Sequence, residues 1–560
     1  MRGNELKPFV MMYEGHDVSL AFWLPKTNDW VIYELERVTG EKHFSISRGF
    51  ANLFNNGPYT VPQPNKGRVN DIVKFCLANL KKDFDIDNDF QTLYIMPVHA
   101  TPMGEYSSWD YDIINAPSWH RVRMNHHEGH QWSAYMQAPF EKCSCISWDA
   151  GGDNTLFMYG EFENGTMTKR FEYPILRASF MWQIFGSYMK TIRPTPNALD
   201  YAGKMMGLSA YGKKNLERAE QLIPRIHWWM TNQMPKDDCR ASVRDWCIIQ
   251  FGTDLVGGED EQTLAYAIQL ATERLFIELL ENEFIDDIRK TGNLIITGGT
   301  AMNILVNEAV KRHFPDISVF VPCNPGDDGI SCGFISREFA FLEYEQFGRH
   351  VVEGNYDFKY AGPYLFDHGS LPDYVRNRNG KQTTLHDVAS LLREGKIIGF
   401  LNGRSEIGPR SLGNRSILCD PSQPNMKDTL NAKVKFREWY RPFAPVCKLE
   451  DADKYFDSRD YEMMDAMQFG IEVKPEWRDH LTEITHEDGS ARLQTVTTES
   501  NPVFYELLDE FDGVLLNTSF NVQGKPILNS IRDAMHILDN TELDYVVVID
   551  KETNIPYLFE

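Results

Sequence analysis

The sharpest local chemistry in the chain is the run His126-His127-Glu128-Gly129-His130. His126 and His130 stand at i and i+4, so on a helix they share one face and can grip one cation. A zinc-protease motif starting at His127 would need a histidine at position 131, which is Gln131. With carboxylates such as Asp149 and Asp327 completing the shell, the mixed nitrogen and oxygen set suits iron(II) or manganese, and zinc is admitted. Open positions on such an ion would bind phosphate oxygens. The plain alternative is a solvated helix start, and three histidines in five residues tip the balance toward a site. Asp327 lies in Pro322-Cys323-Asn324-Pro325-Gly326-Asp327-Asp328-Gly329, which on its own reads as an acidic turn capping a helix.

A second kind of chemistry is written between Arg404 and Arg441. Five arginines and three lysines stand there against four acids, a net +4 in a chain of −23. Gly403, Gly408, Pro409 and Gly413 interleave with them, so the charges lie on loops that can converge. Phe436, Trp439, Tyr440 and Phe443 accompany them. Arginine forks bind phosphate and carboxylate bidentately. Aromatic and turn neighbours favour an anion pocket over a solvated charged face. Asn517-Thr518-Ser519-Phe520-Asn521, after the apolar Val514–Leu516, offers hydroxyls and amides to the same pocket, although a polar turn would look the same.

The elements that must hold these groups are α/β in pattern. Val10–Tyr13 reads as a strand ending at Glu14-Gly15-His16-Asp17, with β-rich runs at Val18–Leu24 and Trp30–Leu35 around a polar turn. Cys143–Trp148 repeats the layout, ending at Asp149-Ala150-Gly151-Gly152-Asp153 before two runs that flank Asn164-Gly165, a strong hairpin signal. Two such loops facing each other make a phosphate clamp. Glu261–Arg289 is helical in period, and Asn293–Ile296, Thr297-Gly298-Gly299-Thr300 and Ala301–His313 read as strand, glycine turn and helix, a layout that favours anions. The pattern lapses between Gly348 and Thr384, and a smaller α/β unit follows from Leu385. The expected division is residues 1–350, a linker at 351–384, and 385–560.

Composition sets the outer bounds. At 560 residues, with 42% hydrophobic and 24% charged residues, the chain is globular and long enough for two to four domains. The net charge of −23 repels polyanions, so nucleic acid is disfavoured as a partner. Nine cysteines without a CxxC pair point to a reducing compartment. The first residues resemble neither a signal peptide nor an anchor, and no apolar run reaches the ~18 residues a membrane span needs. A cytoplasmic protein with no membrane partner is expected.

Read together, the motifs resemble the O-carbamoyltransferases of the nodulation-factor and antibiotic-tailoring type, over nearly the whole chain and in order. The resemblance is carried by Gly15-His16-Asp17, His126-His127-x-x-His130, Lys204-Met205-Met206-Gly207-Leu208-Ser209-Ala210-Tyr211-Gly212, Gly298-Gly299-Thr300-Ala301-Met302-Asn303 and Gly326-Asp327-Asp328-Gly329. The long block Gly403–Ser416, Arg441-Pro442-Phe443-Ala444-Pro445, Arg492–Val496 and Asn517–Asn521 complete it, with Ser411 where most relatives carry alanine. The resemblance implies an actin-like, duplicated ATPase-type domain, similar to the tRNA-threonylcarbamoyl-transfer fold, followed by a smaller YrdC-like α/β domain.

It also implies the chemistry. ATP, as its magnesium complex, and carbamoyl phosphate would yield carbamoyl-adenylate in the second domain, and an acceptor hydroxyl would take the carbamoyl group in the first. Arg410, Lys435 and Arg441 would hold carbamoyl phosphate, and Arg492 would lie near the nucleotide phosphates with Asn517, Thr518 and Ser519 lining the pocket. Gly298, Gly299 and Asn303 would touch nucleotide. His126, His130, Asp149 and Asp327 would hold an iron(II)-type ion. His16, beside Asp17, is the candidate general base, since an imidazole suits proton abstraction at neutral pH. A homodimer is compatible with this reading. The competing classes are an ATP-driven switch or sugar-kinase relative, which leaves the arginine block unexplained, and an enzyme acting on hydroxymethylated pyrimidines.

Overall fold

The structure, a computed structural model, describes residues 7–15, 17–46, 66–96, 109–121, 125–150, 155–173, 176–195, 197–232, 234–346, 356–459, 461 and 463–560. His16 lies outside the described residues, as do the glycines at 151 and 152.

The N-terminal part is one layout used twice. Strands β1 (Phe9–Tyr13), β2 (Ser19–Leu24), β3 (Asp29–Glu34), β4 (Leu93–Met96) and β5 (Trp119–Arg121) form a sheet of order β3-β2-β1-β4-β5. Strands β6 (Lys142–Trp148), β7 (Phe157–Glu163), β8 (Thr166–Tyr173), β9 (Asn293–Thr297) and β10 (Ser318–Phe320) form another, of order β10-β9-β6-β7-β8. In both, the first three strands are antiparallel and the last two run parallel to the first. This is the duplicated actin-like topology that the repeated loop-and-hairpin layout leads one to expect. Asn164 and Gly165, both at positive φ (49° and 74°), make the β7–β8 turn.

Each sheet is followed by a helix, His126–Gln137 in the first half and Ile330–Gln346 in the second. The two cross at glycines in matching positions, the fourth residue of each helix. A Cβ on Gly333 would lie 1.9 Å from the Gly129 carbonyl oxygen, so side chains larger than hydrogen cannot pass there. This close crossing brings the start of the first helix, with its histidines, to the loop that precedes the second.

The C-terminal part is a mixed sheet of eight strands: β11 (Lys381–Gln382), β12 (Ile398–Leu401), β13 (Arg415–Cys419), β14 (Ala444–Lys448), β17 (Gln494–Val496), β18 (Leu515–Ser519), β19 (Tyr545–Ile549) and β20 (Pro556–Phe559). Their order is β11-β20-β19-β12-β13-β18-β14-β17, and a small pair, β15 (Ile471–Glu472) and β16 (Ser490–Ala491), stands apart. The helices Leu385–Arg393 and Pro502–Phe511 pack their apolar faces on this sheet, burying Val388, Leu392, Phe504 and Leu508. Residues 356–384, within the stretch read as a linker, are built into both parts. β11 pairs with β20, and the Ala361 carbonyl accepts from the Ile32 amide of β3 at 2.9 Å. No helix among the described residues is long and apolar enough to cross a membrane.

Candidate functional site

Four side chains converge in the cleft between the duplicated halves. His126 and His130 project from the first turns of their helix, whose start is capped by Asn125 accepting from the His127 amide at 2.8 Å. Asp149 follows β6 directly, and Asp327 opens the turn before Ile330–Gln346. The two Nε2 atoms are 3.0 Å apart. Asp327 Oδ1 is 3.3 Å from His126 Nε2 and 3.4 Å from His130 Nε2, and Asp149 Oδ2 is 3.7 Å from His130 Nε2. All four residues are buried and offer ligand atoms within 4.8 Å of one another. Two imidazole nitrogens and two carboxylates aimed at one buried point fit a divalent cation with mixed nitrogen and oxygen preference.

The surrounding groups fix these donors, as ligand-orienting partners do. Tyr13, the last residue of β1, donates to Asp327 Oδ2 at 2.7 Å. Burial first, then the charge of Asp327, holds its phenol well above its ordinary value, so the proton stays on the tyrosine. Gly15 makes room for that ring, since a Cβ there would lie 2.2 Å from it. Asp149 Oδ2 accepts from the Gly299 amide at 2.5 Å, and Gly298, at φ 85°, passes 2.5 Å from the Trp148 carbonyl where a Cβ would sit. The Gly298-Gly299 turn thus clasps Asp149. Asn303 is taken up in structure: it caps the helix Ile304–His313 through the Leu305 and Val306 amides and pairs with Gln269. The middle histidine, His127, is not in the cluster. Its Nε2–H donates to the Thr155 carbonyl, so Nδ1 accepts from Ser147, and burial holds it neutral by lowering its pKa well below the usual range.

Asp17 sits at φ 52° and meets His43, a histidine that no local pattern singles out. His43 Nδ1 is 2.8 Å from Asp17 Oδ1, and its Nε2 is 3.4 Å from Asp200. Burial alone would lower the imidazole, but the two aspartates win and raise it to about 10. His43 is therefore a cation that ties Asp17 in place.

The second cluster lies in the C-terminal part. Arg410, Lys435, Arg437, Arg441 and Arg492 crowd one recess. Burial first, then neighbouring guanidinium charge, lowers Arg410 to about 10 and drives Lys435, Arg437 and Arg492 well below their ordinary values. Arg410 Nε and Arg492 Nε are buried without a hydrogen-bond partner. Lys435 is anchored by Ser519 and by Asn521 Oδ1 at 2.5 Å. Arg437, part of the charge count but given no role from sequence, stacks its guanidinium 4.3 Å from the Phe443 ring centre and binds Asn431 Oδ1 at 2.7 Å. Asn517 supports the wall, bonded to Gln494 Oε1 at 2.7 Å and to Ser411, while Thr518 is buried in β18. Like charges with unused donors in one recess suit an anion.

Not every charge of the Gly403–Ser416 block faces that recess. Arg404 reaches back to Asp29 at 2.8 Å and to the carbonyls of Gly362 and Ala361. Arg415 is wholly buried among the Asn402, Gly403 and Asn414 carbonyls and Asn529. Glu406 gathers the amides of Leu412, Asn414 and Arg415 on one oxygen. At the tip of the block, Gly408 donates to Glu34 at 2.7 Å and accepts from Arg37 at 2.6 Å. A Cβ on Gly408 would meet the Cys323 carbonyl at 2.3 Å. The loop that carries Arg410 is thus pressed onto the loop that carries Asp327. Behind this contact, burial pushes Glu34 up to about 7 against the pull of Arg37, and burial together with Glu34 raises Asp328.

A duplicated actin-like part with a buried imidazole–carboxylate tetrad, joined to an α/β part with a cationic recess, is an arrangement with one candidate cation site and one candidate anion site. Comparison with known proteins narrows this. The carbamoyltransferase N-terminus family matches residues 120–335, and the carbamoyltransferase C-terminus family matches residues 389–553. Nodulation protein NolO of Bradyrhizobium diazoefficiens is 30% identical over 443 residues, covering 76% of this chain and 78% of that protein. Nodulation protein NolNO of Sinorhizobium fredii is 31% identical, over 77% of this chain and 64% of its own length. The 3'-hydroxymethylcephem-O-carbamoyltransferase of Streptomyces clavuligerus is 33% identical over 63% of this chain and 64% of its own. The chain belongs to the carbamoyltransferase family, and it is a carbamoyltransferase.

Proposed function

We propose that the protein is an ATP- and carbamoyl-phosphate-dependent O-carbamoyltransferase. The observation that carries this reading is the recess of four arginines and a lysine, in which Arg410 Nε and Arg492 Nε are buried without a hydrogen-bond partner, in the region that matches the family's C-terminal half. Carbamoyl phosphate, held by Arg410, Lys435 and Arg441, is hydrolysed: one water supplies the new oxygen, the bond between the carbamoyl group and phosphate breaks, and carbamate and inorganic phosphate result. A carbamate oxygen then attacks the α-phosphorus of ATP, the bond to the β-phosphate oxygen breaks, and pyrophosphate leaves. Arg492 and Arg437 take the charge on the nucleotide phosphates, where fixed guanidinium forks stabilise a phosphoryl-transfer transition state without reorganising.

In the N-terminal domain the acceptor hydroxyl attacks the carbamoyl carbon and AMP leaves with the C–O electrons. His16, next to Asp17, takes the hydroxyl proton. His126, His130, Asp149 and Asp327 would hold a divalent ion, iron(II) being the first choice on the family resemblance. Such an ion would supply positive charge for a phosphate group. Tyr13 and Gly299 keep the two carboxylates oriented. Residues 1–350 then form the transfer domain and 385–560 the adenylate-forming domain, with 351–384 between them. An alcohol borne by a small molecule is the acceptor class, in keeping with the hydroxymethylcephem for which the Streptomyces clavuligerus relative is named.

The test is carbamoyl-phosphate-dependent exchange of labelled pyrophosphate into ATP, followed by transfer of labelled carbamoyl to a panel of sugar and hydroxymethyl alcohols. Exchange without carbamoyl phosphate, or none with it, would overturn the reading.

A further inference from the structure

The motif Lys204–Gly212 is among the longest in the sequence, and no function above absorbs it. The structure puts it against the cationic recess, although it belongs to the N-terminal part. Its helix, Tyr201–Ser209, places Gly207 so that a Cβ there would be 3.6 Å from Pro442 and 3.7 Å from Tyr440. Tyr211, just beyond, packs edge-on to Trp439 with ring centres 4.8 Å apart, and its hydroxyl accepts from Lys427 at 3.2 Å.

Lys204 itself is buried, 7% exposed, which is costly for an ammonium unless it is paired. Its Nζ donates to Thr195 Oγ1 at 2.8 Å and to Glu438 Oε1 at 2.5 Å. Glu438 is the acid in the turn that ends at Arg441. Its second oxygen, Oε2, is buried, has no hydrogen bond, and stands 3.9 Å from Arg441 Nη1. Burial opposes ionisation of Glu438, but Lys204 outweighs it and keeps the carboxyl below its ordinary range. A carboxylate is therefore parked beside the arginine that is meant for substrate, and it leans toward the lysine of the other domain.

We propose that Lys204 is a positioning residue for the anion recess: by drawing Glu438 to itself across the domain boundary, it holds the Glu438–Arg441 ion pair at a long 3.9 Å and leaves the Arg441 donors to a phosphorylated substrate. Without Lys204, Glu438 would close on Arg441 as a resident competitor, because carboxylate and guanidinium pair readily at hydrogen-bond range. Binding in the C-terminal domain would then depend on the N-terminal domain being docked. The inference rests on the proposed anion recess but not on the identity of the carbamoyl donor.

The experiment uses the full-length protein and inorganic pyrophosphate as the probe, read by titration calorimetry. Lys204→Met should weaken pyrophosphate by at least about tenfold, the scale of a single charge-assisted hydrogen bond. Lys204→Met with Glu438→Gln should restore most of that affinity, because the competitor is gone. A Lys204→Met protein with wild-type affinity would overturn the proposal. So would a double variant as weak as the single one, since a merely structural lysine is not rescued by removing its partner. If Lys204→Met fails to fold, Glu438→Gln alone decides: equal or tighter pyrophosphate binding supports the proposal and weaker binding overturns it. A wild-type protein that binds pyrophosphate but shows no carbamoyl-phosphate-dependent exchange would instead count against the proposed reaction, while the variant titrations would still decide this inference.

Discussion

Replacing Arg410 by methionine should make the unliganded protein more stable while abolishing the adenylate formation proposed above. Arg410 is half-buried, its Nε is buried without a partner, and Arg441 adds like charge; burial first, then that charge, lowers its pKa to about 10. Relative to a free guanidinium this is a penalty of at most ~3 kcal/mol, at 1.36 kcal/mol per unit. The recess is partly open to water, so screening reduces the recoverable part to ~1 kcal/mol. A base whose proton is bound more weakly in the fold bears its penalty at every pH below the folded value. The gain is therefore flat across the neutral range and would fade only near pH 10. Expressed as melting temperature it is about 2–4 °C for a unit of 150–250 residues. Saturating pyrophosphate should reverse the order, because ligand at about a hundred times its Kd adds ~2.7 kcal/mol to a fold that binds it and nothing to one that does not. The assay is thermal unfolding with and without pyrophosphate, beside pyrophosphate exchange. A variant that melts below wild type without ligand, or that exchanges at the wild-type rate, refutes the reasoning.

His130→Ala should reduce bound divalent metal, measured by elemental analysis, and abolish carbamoyl transfer while exchange in the other domain continues; equal loss of both half-reactions would contradict the division of labour. His43→Asn should remove a pH-dependent share of stability. The imidazole is raised to about 10 in the fold, so its contribution is complete below its ordinary ~6.5 and is lost as pH rises through 10, a difference of no more than ~3 kcal/mol after screening. Denaturant titrations of both proteins across that window check it, and parallel pH profiles would refute it. Gly333→Val should cost ~2 kcal/mol or more, because its Cβ would lie 1.9 Å from a backbone oxygen of the crossing helix; an unchanged melting temperature would count against the crossing.

What the sequence disclosed was periodic or local. Strand ends, the Asn164-Gly165 hairpin and the repeated acidic loop are set by neighbours within ten residues, and they are enough to expose the duplication. The i, i+4 histidines are likewise local, and the structure brings them to Asp149 and Asp327. What spacing could not show is which charge of a block is spent on architecture. Arg404 and Arg415 look like Arg410 in the sequence, yet Arg404 is used up by the distant Gly362 and Ala361 carbonyls, and Arg415 by carbonyls of its own block and the Asn529 side chain. Arg437 was hidden among aromatics, and His43 is an isolated histidine whose partners, Asp17 and Asp200, come from two other segments. Tyr13 ends an apolar strand, and only the fold reveals that its hydroxyl reaches across 314 residues to Asp327. The expected helix Glu261–Arg289 is broken at Leu280–Phe284 by a π-helical turn, which lets Phe284 stack on Tyr159 at 4.4 Å. Tertiary packing overrides periodicity there.

The duplication explains why the tetrad forms where it does. Equivalent strands β1 and β6 end at the same level of their two sheets, so Tyr13 and Asp149 arrive from opposite halves at one point. The glycine-matched crossing of His126–Gln137 and Ile330–Gln346 brings the histidines of the first half to the Asp327 turn of the second. Each half thus supplies part of a site that neither could build alone. The same turn, from its other side, receives the loop of Gly408, whose close approach to Cys323 requires a residue without a side chain. With Arg37 and Glu34 clamping that loop and Arg404 bound to β3, the densest charged motif of the chain works mainly as a weld between domains. Buried polar contacts of this kind are costly to open one at a time. The tetrad and the cationic recess are therefore joined directly through the loops that carry Asp327 and Arg410.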